Sequence, residues 1–220
     1  PSRPDNLNQY VATLQEWHDK PVRTRFNIYA SQGNGRAIMQ RTSRGVINRK
    51  IDKDIHSALD NGTQTQTMTQ TGKAAFLASL LQLKVTLGNN DALGENPYAL
   101  ITDAFHANMM TLEQYTSVDF VSAKPFDGIS TDRAFSWLGV NWILDTGLTG
   151  KGTATSTCYM YNRNSIGHAC DMDRLTTAAG YDEENDKSWA RATAFMGSKL
   201  LQNSGVIKIT HDDTTIITAA

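Results

Sequence analysis

Charge is sorted along this chain, and the sorting limits what it can fold into. From Lys20 to Ile51 there are eight cations and no Asp or Glu: Lys20, Arg23, Arg25, Arg36, Arg41, Arg44, Arg49 and Lys50. From Asp171 to Asp186 the balance reverses, with Asp171, Asp173, Asp182, Glu183, Glu184 and Asp186 against Arg174 alone. The net charge over 220 residues is -1, so the average hides two patches of opposite sign. Unpaired charges cannot enter a core, so each patch must face water or a partner. Two solvated faces are the ordinary reading of such runs. The sharper readings set the two patches against each other across a subunit boundary, or the basic one against a packaged polyanion.

With 40% hydrophobic and 20% charged residues and five prolines, the chain is globular, large enough for one good-sized domain or two small ones. Apolar runs such as Ile143-Leu144 and Val206-Ile207 fall far short of the roughly 20 residues of a membrane helix, so no membrane partner is expected. Pro1 to Tyr10 lacks the basic start and apolar run of a signal peptide, and a first residue other than Met points to a trimmed or partial chain. Cys158 and Cys170 form no Cys-x-x-Cys, so neither a disulfide framework nor a zinc site is expected, and a reducing compartment fits.

Asp5 or Asn6 can cap a helix to about Trp17, with Leu7, Tyr10, Val11, Leu14 and Trp17 at helical spacing and Pro21 ending it. Arg25 to Gln40 reads as a β-hairpin. Phe26, Ile28 and Ala30 alternate with other residues, Gly33-Asn34-Gly35 supplies the turn, and Ala37 to Gln40 returns. A lone hairpin with so little apolar surface is marginal in water and must lie on something else. Thr42 or Ser43 begins a helix with the stripe Ile47, Ile51, Ile55, Ala58 and Leu59, stopped by Asn61-Gly62. Thr63 to Thr71 is a polar link that should separate two lobes, and Lys73 to Leu87 is a second helix. Tyr98–Thr102, Trp137–Leu144, Cys158–Tyr161, Ile166–Met172, Trp189–Lys199 and Val206–Thr210 suggest strands, with a helical turn over Asp103–Met110. The acidic Ala178–Asp186 stretch reads as the tip of a long hairpin. Helices and strands do not alternate regularly, so the expected class is α+β.

No catalytic constellation emerges. The five histidines form no His-x-x-x-His or His-Glu-x-x-His pair, so no metal is expected. His168 and Cys170 share a strand face, but a Cys-His catalytic pair normally comes from separate elements; a structural Cys and a hydrogen-bonded His fit better. Gly33-Asn34-Gly35 lacks the third glycine of a dinucleotide fingerprint, and Lys151 precedes a strand, unlike a phosphate-loop lysine. No cofactor is expected. Trp137 and Trp142, five apart on one strand, should face opposite sides. A one-sided helix, an under-cored hairpin and sorted charge describe a chain that contacts copies of itself.

The order of these elements resembles the major capsid proteins of tailed bacteriophages, whose Hong Kong ninety-seven type of fold is shared with encapsulin shells. The resemblance is carried by the Arg25–Gln40 hairpin, the Arg44–Leu59 helix, Phe135–Leu148 before a Gly-rich turn, Cys158–Ala169, and Trp189–Ile209. It implies an α+β capsid fold with an extended β-hairpin loop (25–41), preceded by an N-terminal arm remnant (1–24). A peripheral domain with a spine helix and sheet (42–70 and 163–199), a mixed α/β axial domain (71–162 and 200–213) and a C-terminal tail (214–220) complete it. Family members usually have a longer segment before the loop.

What the resemblance implies about function is a non-enzymatic major capsid protein. Its copies would form hexamers and pentamers of an icosahedral head around double-stranded DNA held by non-specific contact. It would be assembled in the host cytoplasm, be found in the virion, and have portal, scaffolding and decoration proteins as further partners. The contact candidates are Arg25, Phe26, Ile28, Gly33, Asn34, Gly35, Arg36 and Ile38 on the hairpin, and Asp182, Glu183, Glu184 and Asp186 on the acidic tip of a neighbour. The alternatives are an encapsulin-like cargo compartment and a small hydrolase using Cys170.

Overall fold

A computed structural model describes residues 10–30, 34–94, 97–117, 133–171 and 176–217, the Arg36 side chain excepted. Residues 1–9, Gly33 and the Arg36 side chain therefore lie outside the described residues, as do 118–132 and 218–220. The chain divides into two compact units, residues 1–57 with 167–199, and 58–166 with 200–220. Helices and two separate sheets in this order make the class α+β.

The first unit is organised on one long strand. In chain order its elements are β1 (Gln15–Asp19), β2 (Val22–Thr24), α1 (Arg25–Ala30) and α2 (Gly35–Leu59). After the other unit's first elements come β8 (Ile166–Cys170), β9 (Thr176–Asp182) and β10 (Lys187–Leu200). All four other strands pair with β10. Lys187–Trp189 pairs with both β2 and β9, and Ala192–Thr193 with both β1 and β9. A strand has only two edges, so β1 and β2 share one. Pro21 sits at the break between them, where it has no N–H to give but accepts from the Ala190 N–H at 3.2 Å. Along β10, Ala190, Ala192, Ala194 and Met196 are all buried, and Ala192, Ala194 and Met196 form a core with Ile47 of α2, against which Trp17, Ile51 and Cys170 pack. Alanines let the α2 backbone approach closely. Trp189 lies opposite Gly180, where a Cβ would come within 2.7 Å of the indole.

Several expectations are overturned here. Residues Gln15–Asp19 form a strand, not the end of a helix; the Tyr10, Val11, Leu14 and Trp17 spacing is helical, but pairing Trp17 with Ala194 on β10 outweighs it. The extended hairpin over 25–41 is replaced by two helices. Thr24 Oγ1 accepts from the Asn27 N–H at 3.4 Å and starts α1, and Asn34 Oδ1 accepts from the Ala37 N–H at 3.2 Å and starts α2. The Asn-Gly pair thus serves as a helix cap and first residue, the other role these residues fill well. Helix α2 begins at Gly35, well before Thr42, and its 25 residues span about 37 Å.

The second unit holds β3 (Gln64–Thr67), α3 (Lys73–Asn89), β4 (Pro97–Ile101), α4 (Asp103–Met110) and α5 (Glu113–Thr116). It continues with β5 (Ala134–Trp137), β6 (Val140–Leu144), β7 (Ser156–Asn162) and β11 (Val206–His211). Its sheet runs β3-β11-β7-β4-β6-β5, parallel only at β3/β11 and β4/β6. The Thr-Gln link is no separator of lobes. It supplies the edge strand β3, whose alternating glutamines bond inward, Gln64 to the Asn203 carbonyl and Gln66 to that of Ser79. The boundary falls at Ala58 rather than at residue 70. Phe76, Leu80, Leu83 and Leu87 of α3 and Phe105 and Met109 of α4 fill the core, with ring centroids 5.5 Å apart for Phe76–Phe105 and 6.2 Å for Phe105–Trp142. Among the described residues no helix is long and apolar enough to cross a membrane.

Trp137 and Trp142 occupy the same sheet face because a two-residue turn, Leu138-Gly139, separates β5 from β6. The register pairs Trp137 with Val140 and Phe135 with Trp142, and the Trp142 indole N–H donates to the Trp137 carbonyl at 3.0 Å. Both turn residues have positive φ, 54° and 70°, the pattern that suits Asn-Gly. Leu138 is strained there, so Leu138→Asn should raise the urea-unfolding free energy by about 1 kcal/mol; a fall would place the strain elsewhere. Cys158, in the middle of β7, is fully buried, and burial pushes its thiol up to about 12. Native protein at pH 8 should leave Cys158 unmodified by a thiol reagent until denaturant is added; rapid native labelling at that position would contradict the packing.

Candidate inter-subunit surfaces

Helix α1 follows β2 directly, and β2 lies against the start of β10, so α1 is held at the end of the sheet where the β9–β10 turn also sits. The Arg25 N–H donates to the Asp186 carbonyl at 3.4 Å. The basic segment and the acidic tip are thus neighbours within one chain. The turn Glu183–Asp186 is built by its own side chains. Asp182 accepts from the Glu184 N–H at 3.2 Å and from the Asn185 side-chain amide at 3.0 Å, and Asp186 adopts φ 47° and accepts from the Tyr181 hydroxyl. The Asn185 amide is the main reason the Asp182 carboxyl stays below its usual range, with its backbone donors and Lys20 adding to it. Glu183, Glu184 and Asp186 are exposed.

No residue of α1 is buried, and Phe26 and Tyr29 are 75% and 85% exposed. Three apart on one helix, they share a face. Ile28 is half-buried, Ile38 is 44% exposed, Asn34 is exposed and Gly35 is buried. Sequence reading missed Tyr29 because strand alternation sets it opposite Phe26; the three-residue spacing was the available signal. Tyr10 and Val11, read in the sequence as part of a helical stripe, stand before β1 and are 52% and 67% exposed. On α2, Arg41, Arg44 and Arg49 are exposed, while the Lys50 ammonium stands over the Trp17 ring at 3.5 Å.

Two groupings of Ser, His and Asp invite an enzymatic reading, and neither has the geometry. Ser198 Oγ donates to Asp54 at 2.8 Å, so His168 Nδ1, also at 2.8 Å, must donate to the serine and cannot take its proton. In the second unit Ser156 and His211 both donate to Asp213, so the carboxylate stands between them. Cys170 packs against the first core, and its strand neighbour His168 is engaged with Ser198. Among the described residues no group of three or more His, Cys, Asp or Glu is gathered for a metal ion.

No curated protein matches the chain. Among solved structures it is similar to one from Mycobacterium phage Che8, with a TM-score of 0.72 and 14% identity over 89% of this chain and 70% of that one. The capsid of cyanophage P-SCSP1u gives a TM-score of 0.72 at 9% identity over 96% and 79% of the two chains. The holo-SrpI encapsulin of Synechococcus elongatus gives 0.66 at 10% over 98% and 80%. These likenesses establish the fold that phage capsids and encapsulins share. The phage capsid protein family model matches residues 12–213, and the chain therefore belongs to the phage capsid protein family.

Proposed function

We propose that this chain is the major capsid protein of a tailed-phage head, a subunit whose copies close into an icosahedral shell of hexamers and pentamers. The observation that carries this reading, beside the family, is the surface of the first unit. A helix of six residues with two almost fully exposed aromatics gains nothing by standing in water, and its free energy improves only when a neighbour covers it. Contacts of this head-to-tail kind close into rings, and a second contact closes rings into a container. Each can be weak, because a subunit held at several places leaves only when all release together.

In this assembly the first unit is the peripheral domain with α2 as its spine, and the second is the axial domain. Arg25, Phe26, Ile28, Gly33, Asn34, Gly35, Arg36 and Ile38 belong to the docking segment, with Tyr29 added by the helical geometry. Because Arg25 already adjoins Asp186 of its own chain, this corner carries both signs and offers a neighbour a mixed surface, on which Asp182, Glu183, Glu184 and Asp186 set register. The outward arginines of α2 face either the neighbour or the packaged double-stranded DNA. Assembly in the host cytoplasm and contacts with portal, scaffolding and decoration proteins belong to the same reading. The encapsulin likeness supports a second one, a cargo compartment with the same architecture; the phage family match favours the first.

Phe26→Ala with Tyr29→Ala removes exposed apolar area only, so the subunit should melt within about 0.5 kcal/mol of wild type while shells vanish from negative-stain fields. Normal shells from that double variant would remove α1 from the interface. Reversal at the turn, Glu183→Lys with Glu184→Lys, should slow assembly followed by light scattering and lessen its sensitivity to salt, again with the fold intact. Unchanged kinetics at low salt would show that the tip takes no part in docking.

A further inference from the structure

One buried polar cluster lies in the second unit, apart from the surfaces of the first on which the proposed docking rests. His211, the last residue of β11, is 1% exposed, and the Asp213 side chain is as deeply covered. Asp213 accepts from His211 Nδ1 at 2.7 Å, Ser156 Oγ at 2.7 Å, Thr102 Oγ1 at 2.8 Å and the Gly152 N–H at 3.0 Å. The other ring nitrogen, Nε2, faces two carboxamides, Asn108 Nδ2 at 3.0 Å and Gln70 Nε2 at 3.2 Å.

Neither amide can turn round. Gln70 Oε1 accepts from the Asp212 N–H at 2.9 Å while its NH2 donates to the Asp212 carbonyl at 2.9 Å. Asn108 Oδ1 accepts from the Ile217 N–H at 3.0 Å, and its NH2 also points at the Thr215 carbonyl, 3.5 Å away. A flip of either would set oxygen against oxygen and N–H against N–H. Both NH2 groups must therefore donate to Nε2, which requires a lone pair there and places the ring's one hydrogen on Nδ1. The same two amides hold the backbone of Asp212 and Ile217, so the state of the ring bears directly on the seating of this segment, which Asp213 also anchors through its N–H to the Thr153 carbonyl at 3.0 Å.

We propose that His211 is a proton-operated latch on the segment Asp212–Ile217: the neutral ring holds the segment in place, and a proton on Nε2 releases it. Solvent supplies the proton to the Nε2 lone pair, and the new N–H then confronts two donors that cannot rotate. Apart from the carboxylates of its own segment, the groups that face the ring are neutral. From α3 the facing group is Phe76, from α4 Phe105 and Asn108, from the link before α3 Gln70, and from β7 Ser156, with the Cys158 thiol beside Asp213. The charges acting on the ring are the carboxylates of Asp212 and Asp213 on its own segment. Burial lowers the His211 pKa and outweighs both. Burial alone would raise Asp213, but its donors more than offset this and leave it below its ordinary value.

The sign follows from linkage. A released His211 takes up a proton near pH 6.5 and the seated ring does not, so the latch is fully effective above that pH and weakens as pH falls below it. Asp213 contributes in a separate window, below its ordinary value of 3.8. Hydrogen exchange of the full chain between pH 8 and pH 5, corrected for intrinsic rates with the unfolded chain, tests this. Protection of amides 212–217 should fall about tenfold by pH 5.5 relative to pH 8, with β4 unchanged. His211→Gln, which can donate and accept but takes no proton, should show a flat profile. A flat wild-type profile, or the same acid step in His211→Gln, overturns the proposal. Should that variant not fold, nitrogen NMR of wild-type His211 at pH 6 decides. A neutral Nδ1–H ring wherever the segment is protected supports the latch; an imidazolium or Nε2–H ring with the segment still protected overturns it.

Discussion

The first unit depends on the length of a single strand. Lys187–Leu200 has enough backbone for β1 and β2 to share one edge and for β9 to take the other, with the Asp171 N–H donating to the Phe195 carbonyl beyond β8. None of those four strands exceeds seven residues, and such short strands need a common partner to be stable in water. The same strand provides the alanine face on which Ile47 and Ile51 rest. Helix seat, ladder and exposed corner all descend from one run of small residues alternating with larger ones.

The second unit is held differently. Its sheet is mixed and its centre is aromatic, and the chain's last described stretch is bound by polar groups drawn from places far apart in sequence. Asp213, taken alone, is a buried charge that would be costly to keep; with four donors it becomes the group around which Thr102, Gly152, Ser156 and His211 are ordered. Burial of a carboxylate therefore specifies a unique arrangement where an apolar plug would tolerate several.

How much of this was readable depended on how local each signal was. Helix α3, helix α4 and strands β4, β7 and β11 carry their own periodicity, and their positions follow from it. Asn34-Gly35 carries two meanings, hairpin turn and helix start, and only the Asn34 side chain bonding three residues ahead separates them. The stretch around Trp17 has helical spacing but belongs to a sheet, because its pairing partner lies some 180 residues away. The two-residue turn at Leu138-Gly139 uses a leucine where Asn is usual, so Trp137–Leu144 reads as one strand. The exposed pair Phe26 and Tyr29 was half visible, and the His211 cluster not at all, since nothing local marks a network assembled from six separate segments.

The turn at Glu183–Asp186 has one further consequence. Asp182 and Asn185 fix its backbone from within, so the backbone that carries its acidic groups is in place before any encounter. A partner meeting it loses little conformational freedom in ordering that loop, and more of the contact energy remains as net affinity. In the proposed assembly, a corner whose backbone is already tied by its own side chains in the free subunit would favour one mutual orientation from first contact.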